Sequence, residues 1–332
     1  MAAAGNRTNR LHDMTFFGIP PQALFSQLLV GLINGSFYAL LSLGLAVIFG
    51  MLNIINFAHG ALYMMGAFVT LFLLVGIDVP VPHVFDAAGH FGMSMTFLHV
   101  GIGLGYWWAL LLTPLVVGAF GMVIERTMLH RLAGMDHLYG LLLTFGLALI
   151  IQGLFQNQFG SSGVPYAIPT ELTGGQNLGF MFLPNYRAWV VVFSAVICFA
   201  TWFAIERTKL GAYLRAATEN PGLVRAFGIN VPLMITLTYG FGVGLAALAG
   251  VLAAPIYSVR PLMGAEFIIV VFAVVVIGGM GSIMGSILSG FALGIIEGLT
   301  KVFYPPASSI VVFVIMAIVL MVKPAGLFGR VN

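Results

Sequence analysis

The feature that most constrains the fold is an uninterrupted stretch, from Leu24 to Val75, without a single Asp, Glu, Lys or Arg residue. Further apolar runs of about eighteen or more residues recur along the sequence, and each could cross a hydrocarbon core of about 30 Å as a helix. Only 7% of the 332 residues are charged, whereas soluble domains carry about 25%. The runs are continuous rather than alternating, which argues against a β-barrel. The sequence therefore predicts an all-α, polytopic helical membrane protein.

We interpret residues 1–332 as a single transmembrane domain with roughly eight to ten transmembrane helices, preceded by an N-terminal tail over residues 1–23. The candidate spans cover residues 24–50, 56–76, 100–124, 138–156, 188–205, 231–254, 267–284, 286–303 and 309–322. The tail lacks a short apolar core followed by a small-residue cleavage site, so we expect no cleaved signal peptide. The single cysteine, Cys198, lies within an apolar run. Neither a disulfide framework nor a metal site is therefore predicted.

Positive charge is distributed unevenly over the connections. The segments 125–137 and 206–230 hold six of the thirteen Lys and Arg residues, whereas 77–99 holds none. By the positive-inside rule, both basic segments and the C-terminal end should face the cytoplasm. Alternation through nine spans then places the N-terminal end outside, where Arg7 and Arg10 would be unfavourable. Either the rule fails at this tail or the first apolar stretch is not two simple spans, and both alternatives stay open.

Polar residues interrupt the first apolar stretch in its middle, at Asn53, Asn56 and His59. An ionisable side chain at membrane depth is expensive and therefore suggests a functional site. Discontinuous helices occur where they line a cavity or are buried in protein. The polar break predicts either a lining of a translocation pathway or hydrogen bonds between helices.

A second glycine-interrupted stretch, residues 278–290, lies in the opposite half of the chain. Such a pair is the pattern expected of an inverted repeat with discontinuous core helices. The alternative is that small residues at four-residue spacing, as at Gly31 and Gly35, serve only close helix packing. Glu297 lies one helical turn before Lys301. We expect these two side chains to pair or to reach towards the membrane interface.

The basic segment 206–230 contains signals for a short helix. Asn220 followed by Pro221 is a favourable helix start, and Gly228 is placed to end that helix in a left-handed conformation. The helix would carry three apolar side chains on one side, Leu223, Val224 and Phe227. Two turns are too short to be stable alone in water. The helix should therefore dock either on a partner or on the chain's own spans.

Other classes of function lack their sequence signals. A Gly-x-x-x-x-Gly-Lys-Ser/Thr phosphate loop does not occur, so the chain carries no P-loop ATPase of its own. The sequence supplies neither a nucleophile–base pair nor a Gly-x-Ser-x-Gly turn, and we predict no catalytic residues. The formal charge of +3 is too small to indicate a nucleic-acid partner.

The sequence resembles the membrane permeases of branched-chain amino acid ABC importers, the LivH type. The segments that carry the resemblance are NGSFYALLSLGLAVIFGMLNIINFAHGALYMMGAF, ERTMLHRL, GLALIIQG, LGAYLRAATENPGLVRAFGIN, LAALAGVLAAP, IGGMGSIMGSILSGFALGIIEGL and MVKPAGLFGR. They occur in this order over nearly the whole chain.

The resemblance implies a bacterial inner-membrane permease that works with other subunits. Expected partners are a second, LivM-type permease, two ATP-binding cassette ATPases, a periplasmic substrate-binding protein and membrane lipid. No cofactor is expected in this chain, because ATP and Mg²⁺ would bind to the ATPases. The expected function is translocation of branched-chain or other hydrophobic amino acids.

The resemblance also implies two sets of site residues. The substrate pathway would be bordered by Asn53, Asn56, Phe57, His59, Gly60, Gly279, Gly281 and Ser282. Coupling to an ATPase would involve Arg215, Glu219, Asn220, Pro221, Leu223, Val224, Phe227 and Gly228.

The sequence leaves alternatives open for both the substrate and the class of transporter. Many members of the family carry an acidic residue directly after the His-Gly pair, where this chain has Ala61. Urea, short amides or aromatic acids are therefore alternative substrates. An ion-coupled secondary transporter is a further alternative, although such proteins usually keep acidic residues in the pathway and only Glu297 is a candidate here.

Overall fold

A computed structural model of the chain describes residues 20–52, 54–74, 77–85, 91–100, 103–132, 135–178 and 182–329, with the backbone alone for 77–85 and 91–100. Asn53 and nearly all of the N-terminal tail lie outside the described residues. The expectations for Asn53, and for Arg7 and Arg10, therefore stay predictions.

The described chain is dominated by helices. They are α1 (Pro21–Leu52), α2 (Ala58–Leu74), α3 (Tyr106–Thr127), α4 (His137–Phe159), α5 (Asn185–Glu206), α6 (Lys209–Glu219), α7 (Pro221–Ala226), α8 (Val231–Ala253), α9 (Met263–Gly278), α10 (Ile283–Phe303) and α11 (Val311–Val322). Within the described residues, α1, α3, α4, α5, α8 and α10 are long and apolar enough to cross a membrane, and α2, α9 and α11 are shorter apolar helices. The polytopic all-α prediction is confirmed.

Two predicted spans have wrong boundaries. The span expected at residues 100–124 begins only at Tyr106, because Val100 belongs to a β-strand. The span expected at residues 267–284 begins earlier, at Met263, and ends at Gly278, so residues 279–282 form a longer break before α10 than the sequence indicated. Gly279 and Gly281 have positive φ angles of 103° and 80° within this break. Glycine adopts such angles readily, whereas other residues are strained there.

Two hairpins occupy connections for which the sequence predicted no secondary structure. Strands β1 (Ile77–Phe85) and β2 (Phe91–Val100) pair antiparallel, with Ile77 opposite Val100. Strands β3 (Gly175–Asn177) and β4 (Phe182–Pro184) form the second hairpin.

The chain divides into two compact units. The first consists of Met1–Met51, Ile168–Ile229 and Ile269–Asn332, and the second of Leu52–Ala167 and Asn230–Ile268. The single-domain interpretation stays a prediction.

In the first unit, α1 and α10 meet through glycines. A Cβ atom added to Gly294 would collide with the backbone of Gly35, and one added to Gly290 would lie 2.5 Å from Cα of Ala39. The two backbones thus approach as closely as small residues permit, which is how helices gain van der Waals contact in lipid. The four-residue glycine spacing therefore serves helix packing here.

Glu297 on α10 is held by two partners in the same unit. Lys301 Nζ lies 2.6 Å from Glu297 Oε1, which confirms the predicted pair. Tyr38 Oη on α1 donates a hydrogen bond of 2.7 Å to Glu297 Oε2. The carboxylate is thus bound within the first unit, and a structural role accounts for it.

In the second unit, α8 packs against both α2 and α3. A Cβ atom added to Gly66 of α2 would lie 2.5 Å from Cα of Ala247. A Cβ atom added to Gly118 of α3 would lie 2.9 Å from the carbonyl oxygen of Gly240. Most residues between Thr238 and Ala253 on α8 are buried as a result, so α8 forms the centre of this unit.

We predict that Gly294→Ala lowers the free energy of unfolding by about 1–3 kcal/mol, because the added methyl group overpacks the α1–α10 contact. Gly153→Ala is the matched control, since an added Cβ there meets no described atom within 4 Å. The melting temperature (Tm), followed by size-exclusion chromatography of the heated, detergent-solubilised protein, reports the difference. Equal Tm values for the two variants would contradict the packing argument.

Candidate functional site

The predicted break after α1 is present, and it is held by α4. Residues 54–57, between α1 and α2, are not helical. The backbone N–H of Phe57 donates to Thr144 Oγ1 at 3.3 Å, and that hydroxyl lies 3.2 Å from the carbonyl oxygen of Ile55. The hydroxyl also lies 3.1 Å from the Leu141 carbonyl oxygen of its own helix, so its single proton is shared between Ile55 and Leu141 while its oxygen accepts from Phe57. Such satisfaction is required of any irregular backbone at membrane depth.

Asn56 and His59 lie within the protein interior. Asn56 is 1% exposed and His59 is fully buried. The Asn56 amide donates to Tyr239 Oη on α8 at 3.0 Å, which ties the break to the centre of the second unit. Among the described residues, Asn56 Oδ1 and Tyr63 Oη have no hydrogen-bond partner. Buried polar atoms without partners are rare and often belong to functional sites.

Phe57 and Gly60 also have contacts within the second unit. The Phe57 ring packs edge-on against Phe145, with 6.1 Å between centroids. A Cβ on Gly60 would lie 2.5 Å from the carbonyl oxygen of Gly264. Gly60 therefore permits a close approach of α2 to the first turn of α9.

The second break, residues 279–282, belongs to the first unit. Ser282 caps α10, because its hydroxyl accepts a hydrogen bond of 3.2 Å from the Gly285 N–H. Gly279 is buried and Gly281 is partly exposed. The Ser282 N–H donates to the Gly279 carbonyl oxygen at 2.9 Å, which closes the turn.

The segment after α11 completes this break. The N–H groups of Leu327 and Phe328 donate to the carbonyl oxygens of Ile277 and Gly278, at 2.8 and 3.0 Å. These are carbonyls that the end of α9 leaves without helical partners. A Cβ on Gly279 would collide with the backbone of Gly329, so the segment lies directly over the break.

The short helix expected in the basic segment is present as α7. The Asn220 side chain accepts a hydrogen bond of 3.0 Å from the Leu223 N–H, and Pro221 occupies the first helical position. Gly228 follows with a φ angle of 80°. The predicted start and end of this helix are confirmed.

The apolar side chains of α7 divide into two groups. Val224 is 5% exposed, whereas Leu223 and Phe227 are 56% and 77% exposed. The sequence grouped all three together, but only Val224 packs back on the chain. Leu223 and Phe227, one turn apart, form an apolar surface that faces away from the described residues.

The preceding helix, α6, carries Arg215 and Glu219, the two charged residues predicted to take part in coupling. Arg215 Nη1 lies 3.4 Å from Glu206 Oε2, at the end of α5, and both side chains are more than 40% exposed. Glu219 is exposed at the end of α6. An ion pair this exposed contributes at most about 1 kcal/mol to stability.

The sequence did not single out Thr144, Tyr239, or the segment that covers Gly279. Thr144 and Tyr239 are polar residues inside apolar helices, which is a usable signal. The contact between residues 327–329 and the end of α9 depends on folding and has no local pattern.

Together, the apolar helices and their breaks define a multi-pass membrane protein. Residues 27–320 match the family described as branched-chain amino acid transport system / permease component. The chain therefore belongs to this family of transport permeases.

Three relatives illustrate the similarity. The high-affinity branched-chain amino acid transport system permease protein BraD of Pseudomonas aeruginosa is 31% identical, over 92% of this chain and 95% of the relative. LivH of Escherichia coli K12, with the same description, is 29% identical over the same shares. A probable LivM permease of Methanocaldococcus jannaschii is 26% identical, over 87% and 90%. No solved structure matches this chain.

We predict that Tyr239→Phe lowers the free energy of unfolding by about 1–3 kcal/mol, because it leaves the buried Asn56 amide without its acceptor. Tyr63→Phe is the matched control: it removes a hydroxyl that has no partner among the described residues, so the Tm should not fall. Thermal melts of both purified variants test this. A Tm loss for Tyr63→Phe as large as that for Tyr239→Phe would contradict the assigned hydrogen bond.

Proposed function

We propose that the chain is the permease subunit of an ATP-driven importer in the bacterial inner membrane and that it translocates branched-chain or other hydrophobic amino acids. Family membership over residues 27–320 carries this proposal. A periplasmic binding protein delivers the substrate, and a second, LivM-type permease completes the membrane part. The basic segments and the C-terminal end face the cytoplasm, in keeping with their Lys and Arg residues.

In this proposal the two helix breaks border the pathway. Asn56, Phe57, His59 and Gly60 belong to one break, and Gly279, Gly281 and Ser282 to the other; Asn53 joins the first by sequence. Asn56 Oδ1, buried and without a partner among the described residues, is an acceptor suited to a substrate ammonium group. His59 supplies an ionisable group at the same depth.

Coupling uses the exposed surface of α7. Two ATP-binding cassette ATPases bind ATP and Mg²⁺ and dock on the cytoplasmic side, where Leu223 and Phe227 insert into an apolar groove. Asn220, Pro221 and Gly228 fix the ends of the helix, Val224 anchors it, and Arg215 and Glu219 add polar contacts at the rim. A short amphipathic helix in a groove is a common mode of recognition.

The substrate class is tested by uptake of radiolabelled leucine into cells that express the complete transport system and lack other branched-chain uptake. We expect unlabelled valine and isoleucine to compete, and urea and acetamide not to compete. Uptake should stop when ATP is depleted. Competition by urea alone would contradict the proposed amino-acid substrates and favour urea as the substrate. Uptake that depends on the ion gradient instead of ATP would contradict the proposal of an ATP-driven importer.

The coupling role is tested with Phe227→Asp and Leu223→Asp, which place a charge in the docking surface. Uptake should fall to background, because burying an unpaired carboxylate costs more than the contact provides. Phe227→Leu is the control, since it keeps an apolar side chain. Membrane content of each variant, measured by immunoblot, must match the wild type, and normal uptake in Phe227→Asp would overturn the coupling role of α7.

A further inference from the structure

A cavity of about 370 Å³ opens in the second unit, where the end of α3 meets the start of α8. Its lining consists of Arg126, His130, Asn230, Pro232, Leu233 and Thr236. Neither the helix breaks nor the α7 surface uses any of these residues, so the cavity is a separate feature.

A buried carboxylate contacts two of the lining residues. Glu125 is 1% exposed, and the Thr236 hydroxyl donates to its Oε2 at 2.5 Å. His130 Nδ1 lies 3.9 Å from Glu125 Oε1, while half of the His130 side chain is exposed. Glu125 thus positions Thr236 and His130 and is itself shielded from a ligand. The groups that a ligand would meet are the imidazole, the Asn230 amide and the exposed Arg126 guanidinium.

An apolar surface runs from the cavity along the span of α8. Leu233, Leu237 and Phe241 follow one another every four residues and are 48%, 53% and 47% exposed. On α3, Phe120 and Val123 are exposed in the same way. A charged pocket that continues into exposed apolar helix faces matches a molecule with an anionic head and long hydrocarbon chains.

We propose that this cavity binds the phosphate of an anionic phospholipid from the cytoplasmic leaflet. Arg126 and His130 bind the phosphate oxygens, and Asn230 donates to the headgroup. The acyl chains lie along Leu233, Leu237 and Phe241. Basic pockets between transmembrane helices on the cytoplasmic side are the expected sites for such headgroups.

The position and the shape of the cavity favour a lipid over free phosphate. Arg126 lies in the last turn of α3 and Asn230 caps α8, so the cavity lies at the ends of two spans, in the interfacial layer. Inorganic phosphate would use the polar lining and leave Leu233 without a role. The lipid uses both.

Native mass spectrometry of the full chain, purified in mild detergent with added phosphatidylglycerol or phosphatidylcholine, tests the proposal. We expect phosphatidylglycerol to be retained in preference to phosphatidylcholine. The double variant Arg126→Gln/His130→Gln should bind phosphatidylglycerol about fivefold more weakly or worse, since it removes the Arg126 charge from the lining, and a basic residue in contact with the headgroup contributes about 1 kcal/mol. Arg131→Gln, an exposed charge change outside the lining, is the matched control and should bind as the wild type does.

Several results would overturn the proposal. They are equal retention of both lipids, unchanged binding in the double variant, and equal loss in Arg131→Gln. Displacement of the lipid by millimolar inorganic phosphate would assign the cavity to free phosphate instead. A headgroup-reactive phosphatidylglycerol applied to the unaltered protein gives an independent readout: labelling should map to residues 126–130 and 230–236, and labelling only elsewhere would refute the site.

Discussion

A peptide N–H or C=O group inside a bilayer core finds no water, and leaving one without a partner costs several kcal/mol. Helices satisfy these groups within themselves, but among the described residues α1 and α9 stop where the sequence is still apolar. At the first stop, Thr144 serves the backbone of Ile55 and Phe57. At the second, residues 327–328 serve the end of α9. The irregular backbone on which the proposed pathway depends exists because other parts of the same unit complete its hydrogen bonds.

Close helix contact is the second requirement, because lipid tails are as apolar as the side chains and burial alone brings little gain. The chain meets it with glycine at the crossing points, as in the approach of Gly294 to Gly35. Not every glycine works in this way, since Gly153 has space around it. The small-residue pattern is therefore a guide to packing only where two helices actually cross.

Much of the architecture could be predicted because apolar length and local capping chemistry are properties of contiguous residues. The spans, the break near Asn56 and the caps at Asn220 and Gly228 are of this kind. The acceptor of the Asn56 amide could not be predicted, because Tyr239 is remote in sequence. The separation of Val224 from Leu223 and Phe227 likewise depends on what the chain packs beneath α7. The inverted repeat and the roles of the pathway residues stay predictions.

The contact between residues 327–328 and the second break has a consequence for the order in which the chain folds. Leu327 and Phe328 are translated only after α10 and α11 have been made, so the carbonyl oxygens of Ile277 and Gly278 must wait for these partners while the nascent chain enters the membrane. Until then α9 has an open end, and Gly279 is not yet enclosed. The break therefore acquires its mature geometry late in biogenesis, after the spans on both sides of it have been synthesised.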